Sequence, residues 1–174
     1  MSVIAISEKG NLFNSPETYM QKIATGNHIP KNTVDLDYSV EQNIKNYSEE
    51  TRKKPNEITV CILDRPRHKN IINELKRLNV NIKYISDGDI SGALLVADKK
   101  FDVDIFMGIG GGPEGVIAAA ALDKLDCKFQ GRFLFNSRED ANRAKKMGIM
   151  DLDKKYDISA VSYTHLTLPT TFGV

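Results

Sequence analysis

The sequence predicts an α/β protein built on a parallel β-sheet with helices on its faces. Between residues 58 and 125, short runs rich in β-branched residues alternate with segments whose apolar residues have helical spacing. Each of the three strands predicted there ends in a polar or glycine-rich turn, the place where open parallel sheets bind ligands. The length of 174 residues and the 41% hydrophobic content fit a soluble domain with its own core.

The first two strands and the helix between them are the clearest elements. Residues 58–63 (ITVCIL) are rich in β-branched side chains and precede a polar turn, so we expect a buried strand. From Arg67 the apolar spacing becomes helical, with charged residues on the opposite face. Residues 81–86 then return to strand character. The apolar residues of the predicted helix face are Ile71, Ile72, Leu75 and Leu78.

The third strand leads into a glycine-rich segment. Residues 90–97 predict a short helix, and residues 103–107 predict the strand. The sequence GIGGGPEG follows at residues 108–115, with Pro113 suited to the first position of a helix. An alanine-rich helix is expected over residues 116–125.

The flanking segments predict further elements. Residues 1–14 look like a hairpin, and Ser15 looks like the N-cap of a helix that would carry Tyr19 on its first turn. An amphipathic helix is expected over residues 40–52. Another is expected over residues 137–147, capped by its first serine.

The charge balance and hydropathy argue against several function classes. Lys plus Arg number 24 and Asp plus Glu number 23, so a net charge of +1 without a basic run argues against a nucleic-acid partner. No apolar run reaches the length of about 18 residues that a membrane-spanning helix needs. Cys61 and Cys127 stand far apart in apolar surroundings, which indicates buried, reduced thiols in a cytoplasmic protein.

The turns after the three strands supply the candidate site. The carboxyl ends of parallel strands share one sheet edge, so we expect one rim to carry Arg65, Arg67, Asp87, Asp89 and Glu114. Pro66 stiffens the turn between the two arginines. Their guanidinium groups suit a phosphate or carboxylate, although a solvated loop has the same pattern. His68 is expected on the surface, in the first turn of the helix.

The two acidic turns each allow two interpretations. Asp87, Gly88 and Asp89 form either a plain turn, with Asp89 capping the next helix, or a site that accepts hydrogen bonds from sugar hydroxyls. Residues 108–115 either bind an anion or let a helix approach the sheet closely; they lack the third glycine of a dinucleotide fingerprint and the P-loop lysine. Glu114 either complements the helix dipole or holds a divalent cation beside a phosphate.

Four ordered motifs resemble one known enzyme family. They are ILDRPRH (62–68), ISDGDISGAL (85–94), DIFMGIGGGPEGVIAAAAL (104–122) and QGR (130–132). In this combination they resemble class II fructose-1,6-bisphosphatases, the bacterial glycerol-operon type. Residues 1–23 are similar to a mid-chain segment of that family, and we expect the resemblance to end near residue 160.

The resemblance implies a layered α-β-α sandwich of the sugar-phosphatase (inositol monophosphatase-like) superfamily, with the N-terminal half of the fold missing. It divides the chain into a linking hairpin and helices over residues 1–55 and a βαβαβ substrate-binding domain over residues 56–160. Residues 161–174 resemble no continuation of the family, and VSYTHLTLPTT looks like translated adapter DNA. We therefore interpret them as an unrelated tail of artefactual origin.

The resemblance also implies a function. Members of the family are cytoplasmic enzymes that use Mn²⁺ or Mg²⁺ to hydrolyse the 1-phosphate of fructose 1,6-bisphosphate in gluconeogenesis and glycerol metabolism. Some also accept sedoheptulose 1,7-bisphosphate. The expected partners are thus a sugar bisphosphate and, at full length, further copies in a homodimer or homotetramer, with no nucleic acid and no membrane. Glu114 matches a metal ligand. The matching substrate-binding residues are Tyr19, Arg65, Pro66, Arg67, Asp87, Gly88, Asp89 and Gly111.

One departure from the family bears on activity. The chain contains neither a Gly-Glu-Gly-Glu turn nor an Asp-Pro-x-Glu-Gly-Thr segment, the family's acidic metal motifs. Because those motifs hold most of the metal and position the attacking water, we expect the chain alone to be inactive. Two alternatives stay open: a non-catalytic α/β module that binds a sugar phosphate or nucleotide, and a domain that only partners another chain.

Overall fold

The computed structural model describes residues 13–161, whose strands form one six-stranded sheet. Short 3₁₀ turns lie at Pro55–Glu57, Pro66–His68, Leu95–Ala97 and Lys99–Phe101. The strands are β1 (Tyr19–Thr25), β2 (Thr59–Leu63), β3 (Asn81–Ile85), β4 (Ile105–Gly111), β5 (Lys128–Leu134) and β6 (Lys155–Asp157). The helices are α1 (Val40–Thr51), α2 (Lys69–Arg77), α3 (Asp89–Leu94), α4 (Gly112–Asp123), α5 (Arg138–Lys146) and α6 (Ile158–Val161).

The strand order in the sheet is β3-β2-β4-β1-β5-β6. β2 is parallel to both β3 and β4, so the predicted parallel β-α-β-α-β unit is confirmed. β1 is antiparallel to β4 and to β5, and β6 is antiparallel to β5, which makes the whole sheet mixed. The carboxyl ends of β2, β3 and β4 therefore meet the amino end of β1 at one edge of the sheet.

Helices cover both faces of the sheet, so the expected layered α/β architecture is confirmed. On one face, Tyr47 of α1 and Leu75 of α2 share a buried cluster with Ile105 of β4. On the other face, Leu122 of α4 shares a second cluster with Phe106, the next residue of β4. Successive side chains of a strand point to opposite faces, which is why neighbouring residues of β4 belong to different cores.

The helix predicted to start at Ser15 is wrong, because residues 19–25 form strand β1. This strand lies between β4 and β5, and its residues from Lys22 onward are buried. A strand covered on both faces lacks the alternation of polar and apolar residues by which a strand is predicted, so β1 could not be recognised from the sequence. The Ser-Pro-Glu pattern instead belongs to a bend, in which the amide of Thr18 donates to the carbonyl of Pro16.

The glycine-rich segment also differs from expectation. Strand β4 continues through Gly108 to Gly111, and α4 begins at Gly112 instead of residue 116. Pro113 is accordingly the second helical residue. The extension occurs because β1 supplies a pairing partner, with Gly111 opposite Tyr19 and Gly108 opposite Lys22. Hydrogen bonding across the sheet thus outweighs the weak intrinsic strand preference of glycine.

Other expectations are confirmed with small shifts of boundary. The predicted helices over 40–52 and 137–147 are α1 and α5, and the hydroxyl of Ser137 accepts a hydrogen bond from the amide of Asp140 at 3.0 Å. Cys61 and Cys127 are buried free thiols. Within residues 13–161, the helices are all too short or too polar to cross a membrane. The predicted hairpin over 1–14, except for its last two residues, lies outside the described residues, as does the tail from residue 162.

Candidate functional site

A pocket opens at the edge where β2, β3 and β4 end and α4 begins. It brings together seven of the nine residues that the sequence singled out, together with Leu63, Ile90, Ser91 and Gly110. The seven are Arg65, Arg67, Asp87, Gly88, Asp89, Gly111 and Glu114. The expectation that these turns share one rim is therefore confirmed. The pocket combines cationic and anionic side chains, a composition that suits a ligand carrying both phosphate and hydroxyl groups.

Arg67 is anchored by the neighbouring strand. Its Nε donates a hydrogen bond to the carbonyl of Ile109 at 2.6 Å, and its guanidinium carbon lies 5.2 Å from the centre of the Tyr19 ring. Tyr19 starts β1 directly opposite Gly111, so β1 brings this ring to the site. Tyr19 lines an adjoining pocket with Gly111 and Pro113 and touches the main pocket through Arg67. Among the residues that the structure describes, the other guanidinium nitrogens of Arg67 have no hydrogen-bond partner and can bind an anion.

Arg65 is held more loosely. Its Nη1 donates to the carbonyl of Asp64 at 3.1 Å, and its Nη2 lies 3.8 Å from Oδ1 of the exposed Asp87. Pro66 begins the 3₁₀ turn that follows and keeps Arg65 extended, at φ −137° and ψ 146°. Pro66 is not among the residues that line the pocket. Its contribution is the fixed turn that separates the two arginines.

The prediction that His68 lies on the surface is wrong, because its side chain is completely buried. Nε2 accepts a hydrogen bond from the amide of Ile109 at 2.8 Å, and Nδ1 lies 2.7 Å from the carbonyl of Leu63. With Nε2 as acceptor, Nδ1 carries the proton and donates it to Leu63. The 3₁₀ turn at Pro66–His68 directs the ring inward before α2 begins. His68 thereby ties the end of β2 to β4 beside the arginines.

Asp89 is paired with Lys22, which sequence reasoning missed. The ammonium group of Lys22 donates a hydrogen bond to Oδ2 of Asp89. Oδ1 of Asp89 is buried and, within residues 13–161, has no hydrogen-bond partner. Asp89 is the first residue of α3 and does not cap it, because Gly88 occupies the N-cap position with φ +92°. The capping interpretation of Asp89 is therefore wrong.

Lys22 is unusual because its side chain is fully buried. Burial lowers the pKa of Lys22, and the carboxylates of Asp89 and Glu114 oppose that shift. The available signal was a single lysine inside the otherwise uncharged run YMQKIAT. Because a helix was predicted for this segment, and a lysine on an exposed helix face is ordinary, the burial of Lys22 was not recognised.

Glu114 lies in the first turn of α4 and lines the pocket. Its carboxylate folds back against Gly111, where any Cβ atom would collide with it. Within residues 13–161 no three acidic, histidine or cysteine side chains cluster as a metal site. Mg²⁺ and Mn²⁺ favour about six oxygen ligands. The described residues therefore do not fit a complete metal site, and Glu114 can supply one ligand.

The whole chain aligns with curated bacterial enzymes. These relatives are named D-fructose 1,6-bisphosphatase class 2/sedoheptulose 1,7-bisphosphatase. The relatives from Trichodesmium erythraeum and Synechococcus elongatus are each 38% identical to it, and the relative from Synechocystis is 37% identical. The alignments cover 100% of this chain but 54% of each relative, so the chain spans about half their length.

The match to a protein family covers most of the chain. Residues 1–168 match the family described as bacterial fructose-1,6-bisphosphatase, glpX-encoded. The match continues past residue 160, where the resemblance was expected to stop. It includes all four motifs and every residue of the pocket. The chain belongs to the glpX-encoded bacterial fructose-1,6-bisphosphatase family.

Proposed function

We propose that the chain is the substrate-binding portion of a phosphatase that removes the 1-phosphate of fructose 1,6-bisphosphate. The observation that carries this proposal is the single pocket that holds two arginines, the Asp-Gly-Asp turn and Glu114 at the carboxyl ends of β2, β3 and β4. Guanidinium groups bind phosphate, and carboxylates accept hydrogen bonds from sugar hydroxyls. Family membership supports the same substrate class.

Each residue of the pocket takes a distinct part in this proposal. Arg67, fixed by Ile109 and Tyr19, contacts a phosphate group of the substrate, and Arg65 adds a more mobile cation at the rim. Asp89 and Asp87 accept hydrogen bonds from hydroxyls of the sugar. Together these contacts hold the substrate in one orientation, which lowers the entropic part of the barrier to attack by water.

A divalent cation, Mn²⁺ or Mg²⁺, belongs to the proposed enzyme. Such an ion stabilises the negative charge of phosphoryl oxygens and lowers the pKa of bound water. Glu114 is the residue of this chain that we assign as a ligand. The other ligands would come from the part of the relatives' length that this chain does not cover. We therefore propose that the chain alone does not hydrolyse the substrate.

The proposed enzyme is cytoplasmic, and at full length it forms a homodimer or homotetramer. Sedoheptulose 1,7-bisphosphate is a second candidate substrate, because the relatives' names include it. Both sugars carry a phosphate at carbon 1.

The test is product analysis with the full-length protein that carries this segment. We expect phosphate release from fructose 1,6-bisphosphate, with fructose 6-phosphate accumulating as the product. Fructose 6-phosphate itself should release no phosphate. A protein that binds fructose 1,6-bisphosphate without releasing phosphate at any Mn²⁺ or Mg²⁺ concentration would instead be the non-catalytic binding module.

A further inference from the structure

We propose that Lys22 is a positioning residue for sugar recognition. It holds the Asp89 carboxylate by Oδ2 so that Oδ1 stays available to accept a hydrogen bond from a hydroxyl of the substrate. This inference rests on the proposed function, because it names the residue that prepares one contact of that site. Lys22 itself does not touch the substrate.

The first argument is the burial of Lys22. Its side chain has no exposed surface, and its ammonium group is bonded to Asp89, whose own side chain is 10% exposed. Lys22 lies in the middle of β1, between Gly108 of β4 and Gly131 of β5. Lys22 is not among the residues that line the pocket, whereas its partner Asp89 is, so its effect on a ligand passes through Asp89.

The second argument is the space that glycines leave for the pair. A Cβ atom at Gly110 would lie 2.5 Å from Oδ2 of Asp89. A Cβ atom at Gly115 would lie 2.5 Å from Sδ of Met20 and 2.9 Å from Cε of Lys22. Real Cβ atoms do not approach other atoms so closely. Two glycines of the GIGGGPEG segment therefore leave space that the ion pair occupies in its observed position, and at Gly115 that space is shared with Met20. This explains part of the glycine richness without an anion cradle.

The third argument is the unpartnered oxygen. Buried polar atoms in proteins nearly always have hydrogen-bond partners, and a buried acceptor without one reduces stability. Oδ1 of Asp89 is such an acceptor within the described residues, and Asp89 lines the pocket. A buried ion pair is itself weak evidence for stability, because desolvation offsets much of the attraction. The buried ion pair and the unpartnered Oδ1 are both explained if Oδ1 accepts a hydrogen bond from a hydroxyl of the ligand.

The test compares the full-length wild-type protein with Lys22→Met, Asp89→Asn and the double variant. Methionine keeps an unbranched side chain without charge, and asparagine keeps the shape of Asp89 without its charge. Lys45→Met, at an exposed position of α1, is the matched control. Calorimetry measures binding of fructose 1,6-bisphosphate, phosphate release gives KM and kcat, and urea denaturation reports stability.

We expect Lys22→Met to weaken binding and raise KM by about 10- to 150-fold, the range for a hydrogen bond to a charged group. The change in kcat should be smaller, and Lys45→Met should match wild type. Because Lys22 acts through Asp89, the double variant should bind as Asp89→Asn does alone. If Lys22→Met does not fold, comparing the double variant with Asp89→Asn still tests whether Lys22 acts through Asp89, because the double variant leaves no buried charge unpaired.

Two results would overturn the inference: wild-type binding by a destabilised Lys22→Met, or a double variant that binds clearly more weakly than Asp89→Asn. The proposed function is judged separately, by phosphate release from the wild type. A wild type that binds the sugar bisphosphate without hydrolysing it contradicts the function, while the binding comparison still decides the role of Lys22. A wild type that binds no sugar bisphosphate contradicts both.

Discussion

The two arginines of the pocket are held differently, which predicts different contributions to binding. Arg67 is fixed by the Ile109 carbonyl and the Tyr19 ring. Within residues 13–161, Arg65 contacts only the carbonyl of its neighbour Asp64 and, at 3.8 Å, the carboxylate of Asp87. A fixed guanidinium loses less side-chain entropy when an anion binds. We therefore expect Arg67 to contribute more to substrate affinity than Arg65 does.

In the full-length enzyme, Arg67→Ala should raise KM for fructose 1,6-bisphosphate about 10- to 150-fold. The reason is the loss of a charge-assisted contact to phosphate, worth roughly 1.5–3 kcal/mol. Steady-state kinetics measures the effect. Arg77→Ala, which removes an exposed ion pair between α2 and α1, is the control and should leave KM unchanged. Unchanged kinetics for Arg67→Ala would place that residue in a solvated loop without function.

Glu114→Gln separates metal ligation from stabilisation of the helix dipole. If Glu114 only complements the dipole of α4, the substitution costs roughly 0.3–1 kcal/mol of stability and leaves kcat alone. If Glu114 is a metal ligand, the substitution should lower kcat by orders of magnitude, and high Mn²⁺ concentrations should restore part of the lost kcat. The measurement is kcat against Mn²⁺ concentration, with thermal melts alongside. A near-normal kcat with a slightly lower melting temperature would remove Glu114 from the metal site.

Residues with charged side chains in turns were the easiest to predict. Arg65, Arg67, Asp87, Asp89 and Glu114 all follow strand ends, and sheet topology alone brings them to one edge. The buried partners, Lys22 and His68, could not be predicted in this way. Their roles depend on β1 and on the inward direction of a 3₁₀ turn, which only long-range packing determines.

At the scale of elements, the helices and strands whose apolar residues have a regular spacing were predictable, and β1 was not. β2, α2 and β3 each keep one spacing of apolar residues over their length, and their observed boundaries agree with the predicted ones within one or two residues. β1 is central and buried on both faces, so its pattern carries no period, and a local helix-start signal at Ser15 misled the prediction. Pairing with β4 and β5 overrides that local preference.

The loop between β1 and α1 is fastened to the sheet by two carboxylates, Asp35 and Asp37. Asp37 accepts hydrogen bonds from Arg132 of β5 and Lys155 of β6, which lower its pKa to about 2. Burial raises the pKa of Asp35, but hydrogen bonds from Lys155, the Asp37 amide and Gln130 outweigh it, so its pKa lies below the usual value. Both carboxylates therefore favour the folded state when they are ionised.

This arrangement predicts loss of stability in acid. The stabilisation from Asp37 is complete above the unfolded-state pKa of about 3.9, and it is lost as the pH falls towards about 2. The stabilisation from Asp35, whose pKa is also lowered, is likewise lost as the pH falls below its ordinary pKa. The urea midpoint of wild type should therefore fall over this range, and Asp37→Asn should show a smaller fall. Glu49→Gln, at an exposed position of α1, serves as the control. Identical pH profiles for wild type and Asp37→Asn would contradict the prediction.

At the scale of the whole molecule, the sheet joins segments from both sides of residue 55 into one layered unit. β1 lies next to β4, and the two cores on either face each include residues of β1. This unit presents the pocket at one edge, and within residues 13–161 no three acidic, histidine or cysteine side chains cluster as a metal site. Under the proposed function, the remaining metal ligands would come from the part of the relatives' length that this chain does not cover.

The most direct test of this account is phosphate release from fructose 1,6-bisphosphate with saturating Mn²⁺, measured for the purified 174-residue chain beside the full-length protein. We predict steady release by the full-length protein and none by the 174-residue chain, because one carboxylate cannot hold a cation that favours about six oxygen ligands. Steady release by the 174-residue chain, abolished by Glu114→Gln, would contradict the account.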